Sequence, residues 1–148
     1  MPAATTQTTA RILIVDDNSM GLMARRSVLQ ELGHRVDTCS TAQEALNQCA
    51  KQQFDVIVTD YKMPHMDGVT FIAELRKKDV QVPVILISGF TDTLGLNEAT
   101  TGADAVIQKS ANEVIHLIRA VNRVSRKNVV KKPARSQTRP PDDKRRRA

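Results

Sequence analysis

The sequence predicts a doubly wound α/β domain in which five parallel strands are covered by helices on both faces. Three observations carry this. Short continuous apolar runs recur and stop in polar residues; helical spacing fills the segments between them; and strand and helix alternate five times, with connections long enough for crossovers.

Arg11-Ile-Leu-Ile-Val-Asp16 reads as a first strand buried on both faces, and Phe54-Asp-Val-Ile-Val-Thr-Asp60 repeats its plan. Val82-Pro-Val-Ile-Leu-Ile-Ser88 is a third such run, with Pro83 tolerable only near the strand's start or on an edge. Arg35 to Cys39 and Ala103 to Ile107 are weaker strands. Among the helices, Gly21, Ala24, Val28 and Leu32 fall at three- and four-residue steps before Gly33, a C-terminal stop. Thr41 with Glu44 has capping-box spacing and opens a second helix through Ala42, Ala45, Leu46 and Cys49. Val69, Ile72, Ala73 and Leu75 mark a third, and Val114, Ile115, Leu117, Ile118, Val121 and Val124 a longer last one. Thr91 to Thr101 is the poorest helix and is expected to be mobile.

With 148 residues, the chain matches one domain. Aromatics at 3% leave few rings for base stacking, which disfavours a stacking single-strand binder. No apolar run approaches the roughly 20 residues of a transmembrane helix, and the polar start MPAATTQTTA lacks a signal segment, so a soluble cytoplasmic protein is expected. The net charge of +6 divides unevenly: residues 126–148 carry ten basic and two acidic side chains, while the first 125 positions are mildly acidic. Residues 1–9 and the basic tail 126–148 are expected to be disordered around a domain at 10–125.

In a doubly wound sheet the working site lies beyond the carboxyl ends of the strands. Asp16 and Asp17 end the first strand, Asp60 the third, Ser88 the fourth, and Lys109 closes the fifth, so parallel alignment gathers them at one rim. Carboxylates about 5 Å apart repel by roughly 3 kcal/mol per pair at an effective dielectric near 20. A divalent cation with oxygen ligands reverses that sign, and Mg²⁺ suits one or two carboxylates, waters and a phosphate oxygen. Lys109 adds a second positive charge and Ser88 a hydroxyl, which together suit a phosphoryl group. Asp60, in the centre, is the natural nucleophile and needs no separate base, being ionised at neutral pH.

Val15-Asp-Asp17, Asp60-Tyr-Lys-Met-Pro-His-Met-Asp-Gly68, Ser88 and Gly102-Ala-Asp104 leading to Lys109 resemble a response regulator receiver domain over residues 10 to 125. The resemblance implies the flavodoxin-like (βα)5 fold of two-component signalling, with Asp60 as phosphoacceptor. It also implies Mg²⁺ held directly by Asp17, through water by Asp16, and by the backbone carbonyl of Lys62. Ser88 and Lys109 would read the phosphoryl group. The donor would be a histidine kinase or phosphotransfer protein and the output an unknown downstream protein, with no enzymatic turnover beyond Mg²⁺-dependent self-phosphorylation and autodephosphorylation.

The chain departs from the family at two positions. Val106 stands where the family usually has Tyr or Phe, which excludes an aromatic rotamer switch; Ser110 replaces the Pro that usually follows the lysine, so a trans bond is expected after Lys109. These departures motivate an alternative, a degenerate receiver that only docks partners. The tail supports another, attachment to nucleic acid or an acidic partner. No segment of helix-turn-helix size follows residue 125, so a conventional DNA-binding output domain is not expected.

Other residues read as structural. Cys39 and Cys49 are two buried free thiols, Gly68 a residue with positive φ, and Met20, Met63 and Met66 apolar packing. His34 and His65 read as exposed, and His116 as part of the last helix.

Overall fold

In the computed structural model, residues 9–89 and 95–138 are described, the last stretch, 126–138, by its backbone alone. The strands are β1 (Arg11–Val15), β2 (Arg35–Cys39), β3 (Val56–Asp60), β4 (Val84–Ser88) and β5 (Ala105–Gln108). The helices are α1 (Ser19–Glu31), α2 (Ala42–Lys51), α3 (Gly68–Lys77), the short α4 (Glu98–Thr101) and α5 (Glu113–Thr138). All strand pairs are parallel, in the order β2-β1-β3-β4-β5, so the chain reverses its direction of winding between β1 and β3.

Alternation along the strands divides the core in two. Ile12, Ile14, Val58, Ile85 and Ile87 pack with Leu29 of α1 and Leu117, Val121 and Val124 of α5. Leu13, Val15, Ile57 and Leu86 turn the other way, onto Ala45 and Leu46 of α2 and Phe71, Ile72 and Leu75 of α3. Pro83 precedes β4 and contributes only its carbonyl, which accepts from Ile57 N at 2.9 Å. Thr41 caps α2 as its spacing predicts, accepting from Glu44 N at 3.1 Å.

Several expectations need correcting. The inward stripe of α1 is Leu22, Arg25 and Leu29, and Ala24 is exposed. Phe71 is buried on α3 where Ala73 is not, and Val114 and Ile115 are exposed on α5, so the apolar residues there do not all share the inner face. Cys39 is buried but Cys49 only half-buried. The backbone of α5 continues to Thr138, beyond the boundary expected after residue 125. The expectations for residues 1–8 and 139–148, and for residues 91–94 of the poor helix, lie outside the described residues; the rest of that segment holds α4, at Glu98–Thr101.

His34, read as exposed, is buried at the edge of the sheet where β1 begins. Its Nδ1 accepts from Ala10 N at 3.0 Å, while its Nε2 has no hydrogen-bond partner. Burial lowers its pKa from the usual 6.5. A proton on Nδ1 breaks the bond to Ala10 and adds a buried charge, so the fold favours the neutral ring. The unfolded chain therefore takes up this proton first, and the stability contribution is complete above about pH 6.5 and declines as pH falls below it. Thermal melts should show His34→Asn, which retains an acceptor, losing less stability than the wild type between about pH 7 and 5.

Candidate functional site

Register decides which side chains meet. Val15 lies opposite both Cys39 and Thr59, Asp60 opposite Ile87, and Ser88 opposite Gln108, so the strands finish almost level. Bonds beyond the ladders extend this alignment into the loops: Asp16 N donates to Cys39 O at 3.2 Å, Tyr61 N to Ile87 O at 2.8 Å, and Lys109 N to Ser88 O at 2.9 Å. Asp16, Asp17, Asp60, Ser88 and Lys109 thus arrive at one rim, as the sequence predicts.

Carboxylate oxygens of Asp16, Asp17 and Asp60 lie within 4.8 Å of one another; the first and last of these residues are buried and Asp17 is exposed. The Lys109 ammonium stands 2.8 Å from Asp60 Oδ1, forming an ion pair with it. Burial pushes the Asp60 carboxyl above its ordinary pKa and Asp16 adds to this, while Lys109 and, more weakly, Arg25 oppose the shift. Beside this group opens a cleft of about 610 Å³ lined by Asp17, Asn18, Asp60, Lys62, Met63, Pro64, Ser88, Gly89 and Lys109. Three clustered carboxylate oxygens beside an open approach form a hard oxygen donor set that fits Mg²⁺.

The loop after Asp60 is held by packing at Gly68. Its φ is not positive; a Cβ would stand 2.6 Å from Leu86 Cδ1 and 2.7 Å from Asp60 O, so glycine is required for close approach. Gly68 N also donates to Tyr61 O at 2.7 Å, and Asp67 caps α3 by accepting from Thr70 N at 2.8 Å. The positive φ in this loop falls on His65, at 72°, which is exposed as expected.

One site-proximal residue has no counterpart in the sequence reading. Arg25 is buried, its Nη1 2.5 Å from Asp16 Oδ2 and its Nε 2.8 Å from Glu113 Oε2 on α5. Burial works against its charge, but the bond to Glu113 and the fields of Glu113, Asp16 and Asp60 outweigh it and raise its pKa. Its signal in the sequence is position: it stands three residues after Leu22 and four before Leu29, on the apolar stripe. At the two departures from the family pattern, Val106 is half-buried against the α2–α3 side of the core, and no cis peptide bond occurs among the described residues, so the bond after Lys109 is trans.

A five-stranded parallel sheet whose switch point holds an acid cluster faced by a lysine defines a receiver-type α/β domain. Residues 12–122 match the response regulator receiver domain family, and the chain belongs to it. Among solved structures, the chain is similar to the chemotaxis response regulator CheY4 of Vibrio cholerae, with 29% identity and a TM-score of 0.71, covering 79% of this chain and 99% of that one. It is also similar to TrrA of Thermotoga maritima, solved in complex with Mg²⁺ and BeF, with 29% identity and a TM-score of 0.69, covering 77% and 97%. A probable transcriptional regulator of Guillardia theta is 34% identical over 82% of this chain, which spans 48% of that relative's length. No helix among the described residues is long and apolar enough to cross a membrane.

Gly68→Ala drives a methyl into Leu86 and the backbone of Asp60, and should cost about 1–3 kcal/mol in a denaturant titration. Because the displaced carbonyl belongs to Asp60, amide chemical shifts at residues 60–62 should move more than those of β1.

Proposed function

We propose that the chain is a phosphoacceptor switch of a two-component relay, with Asp60 as the residue that carries the phosphoryl group. The observation that carries this reading is the buried Asp60 carboxylate, placed among Asp16 and Asp17 with the Lys109 ammonium 2.8 Å away. An Asp60 oxygen forms the new bond to phosphorus. The bond from phosphorus to its donor, a phosphohistidine of a histidine kinase or phosphotransfer protein, breaks, and the departing imidazole takes up a proton. Asp16, Asp17, Asp60 and the Lys62 carbonyl would hold Mg²⁺, which supplies charge neutralisation for the transferring oxygens. Ser88 offers its hydroxyl and Lys109 its ammonium to the same oxygens. Lys109 belongs to the loop that follows β5, so a new anion at Asp60 redirects a side chain anchored near α5 and alters the surface offered to a downstream protein.

Incubation with Mg²⁺ and acetyl phosphate, followed by intact-mass measurement, should show a single phosphoryl adduct on the wild type and none on Asp60→Asn. An unmodified wild type, or an adduct that survives in the variant, removes the reading. Lys109→Ala should still be modified, at a rate lower by about 10- to 100-fold, because it removes one positively charged partner of the transferring oxygens.

Val106 and Ser110 favour a second reading, a receiver that docks partners without phosphorylation; absence of measurable Mg²⁺ affinity would select it. The basic stretch 126–148 adds attachment to nucleic acid or an acidic partner, for which truncation after Ser125 should abolish salt-sensitive binding.

A further inference from the structure

A cation is already fixed inside the acid cluster. The Arg25 side chain is 6% exposed, its Nη1 at 2.5 Å from Asp16 Oδ2, and Asp16 Oδ1 accepts from Asn18 N at 2.9 Å. Both oxygens of this carboxylate are therefore engaged by donors of the chain itself, which suits Asp16 to hold a water of a bound ion and leaves Asp17 and Asp60 to meet the ion. Space for the contact depends on Gly21, where a Cβ would stand 3.0 Å from Asp16 Oδ2 and 3.8 Å from Arg25 Nη1. The guanidinium is also shared: its Nε lies 2.8 Å from Glu113 Oε2, in the first turn of α5.

We infer that Arg25 is a built-in counter-cation of the acidic pocket, a positioning residue that keeps the carboxylates assembled without metal, weakens Mg²⁺ binding by its charge, and shares that charge with α5 through Glu113. The inference rests on the proposed reading of the pocket as a Mg²⁺ site. Its physical basis is opposition between like charges: a guanidinium bonded to one carboxylate of a cluster spanning 4.8 Å repels a dication entering the same cluster. Glu113 draws part of the guanidinium's charge away from Asp16, so the two acids compete for one base. Exclusion of water strengthens the competition, since both Arg25 and Asp16 are buried.

The test measures Mg²⁺ binding by calorimetry and melting temperature with and without Mg²⁺, using the full chain. Arg25→Met should melt lower than the wild type without metal, bind Mg²⁺ about three- to tenfold more tightly, and show a larger Mg²⁺-induced rise in melting temperature. Arg25→Lys retains the charge and should keep Mg²⁺ affinity near that of the wild type. Glu113→Gln, a milder change at a more accessible side chain, should weaken Mg²⁺ binding by about two- to threefold in the wild-type background and have no effect in the Arg25→Met background. If Arg25→Met does not fold, the lysine and glutamine variants decide by the same directions. A wild type that binds Mg²⁺, with Arg25→Met binding no more tightly, or a Glu113 effect that persists without Arg25, overturns the inference and leaves the phosphoacceptor reading standing. A wild type that fails to bind while Arg25→Met does supports the inference. Failure of both to bind overturns both readings.

Discussion

The repulsion among Asp16, Asp17 and Asp60 is the constraint around which the rim is organised. Oxygens of three carboxylates within 4.8 Å of one another, two of the residues buried, carry about 3 kcal/mol of repulsion per pair at an effective dielectric near 20. The hydrophobic core pins the strand ends that bear them, so the acids do not separate to relieve it. Relief comes from two bases: Arg25 from α1 onto Asp16, and Lys109 from the loop after β5 onto Asp60. They differ in kind. Arg25 is bonded to two acids in the interior, whereas the Lys109 side chain is 41% exposed. Asp17 is the exposed acid of the three.

Most of the sheet was legible because strands buried on both faces write themselves as unbroken apolar runs, and because their polar terminal residues fall at the rim whatever the details of the helices. Asp16, Asp17, Asp60, Ser88 and Lys109 all meet there. The errors cluster where a side chain's fate depends on a partner distant in sequence. Periodicity treats a charge as solvent-facing, yet Arg25 lies on the inward stripe of α1 because Glu113, 88 positions away, accepts from it. His34 was legible only through Ala10, whose N–H it accepts across 24 positions. Gly68 shows a different failure: a glycine suggests an unusual φ, but here the neighbours Leu86 and Asp60 leave no room for a methyl.

The two departures from the family pattern fall in the same segment, from β5 to the loop after it. Val106 lies against the α2–α3 side of the core without an aromatic ring to swing, and Ser110 leaves a trans bond after Lys109. Neither residue lines the cleft beside Asp60. Close by, Glu113, four residues beyond Lys109, joins α5 through Arg25 to Asp16.

The placement of β5 has a mechanical consequence. Among the described residues it is an edge strand, bonded along one side to β4 and along the other to nothing in the sheet. Displacing it breaks a single ladder, whereas moving β1, β3 or β4 would break two. The Lys109 ammonium therefore follows one of the two strands held by a single ladder, β2 being the other, whereas Asp16, Asp17 and Asp60 stand at the ends of β1 and β3, each held by two.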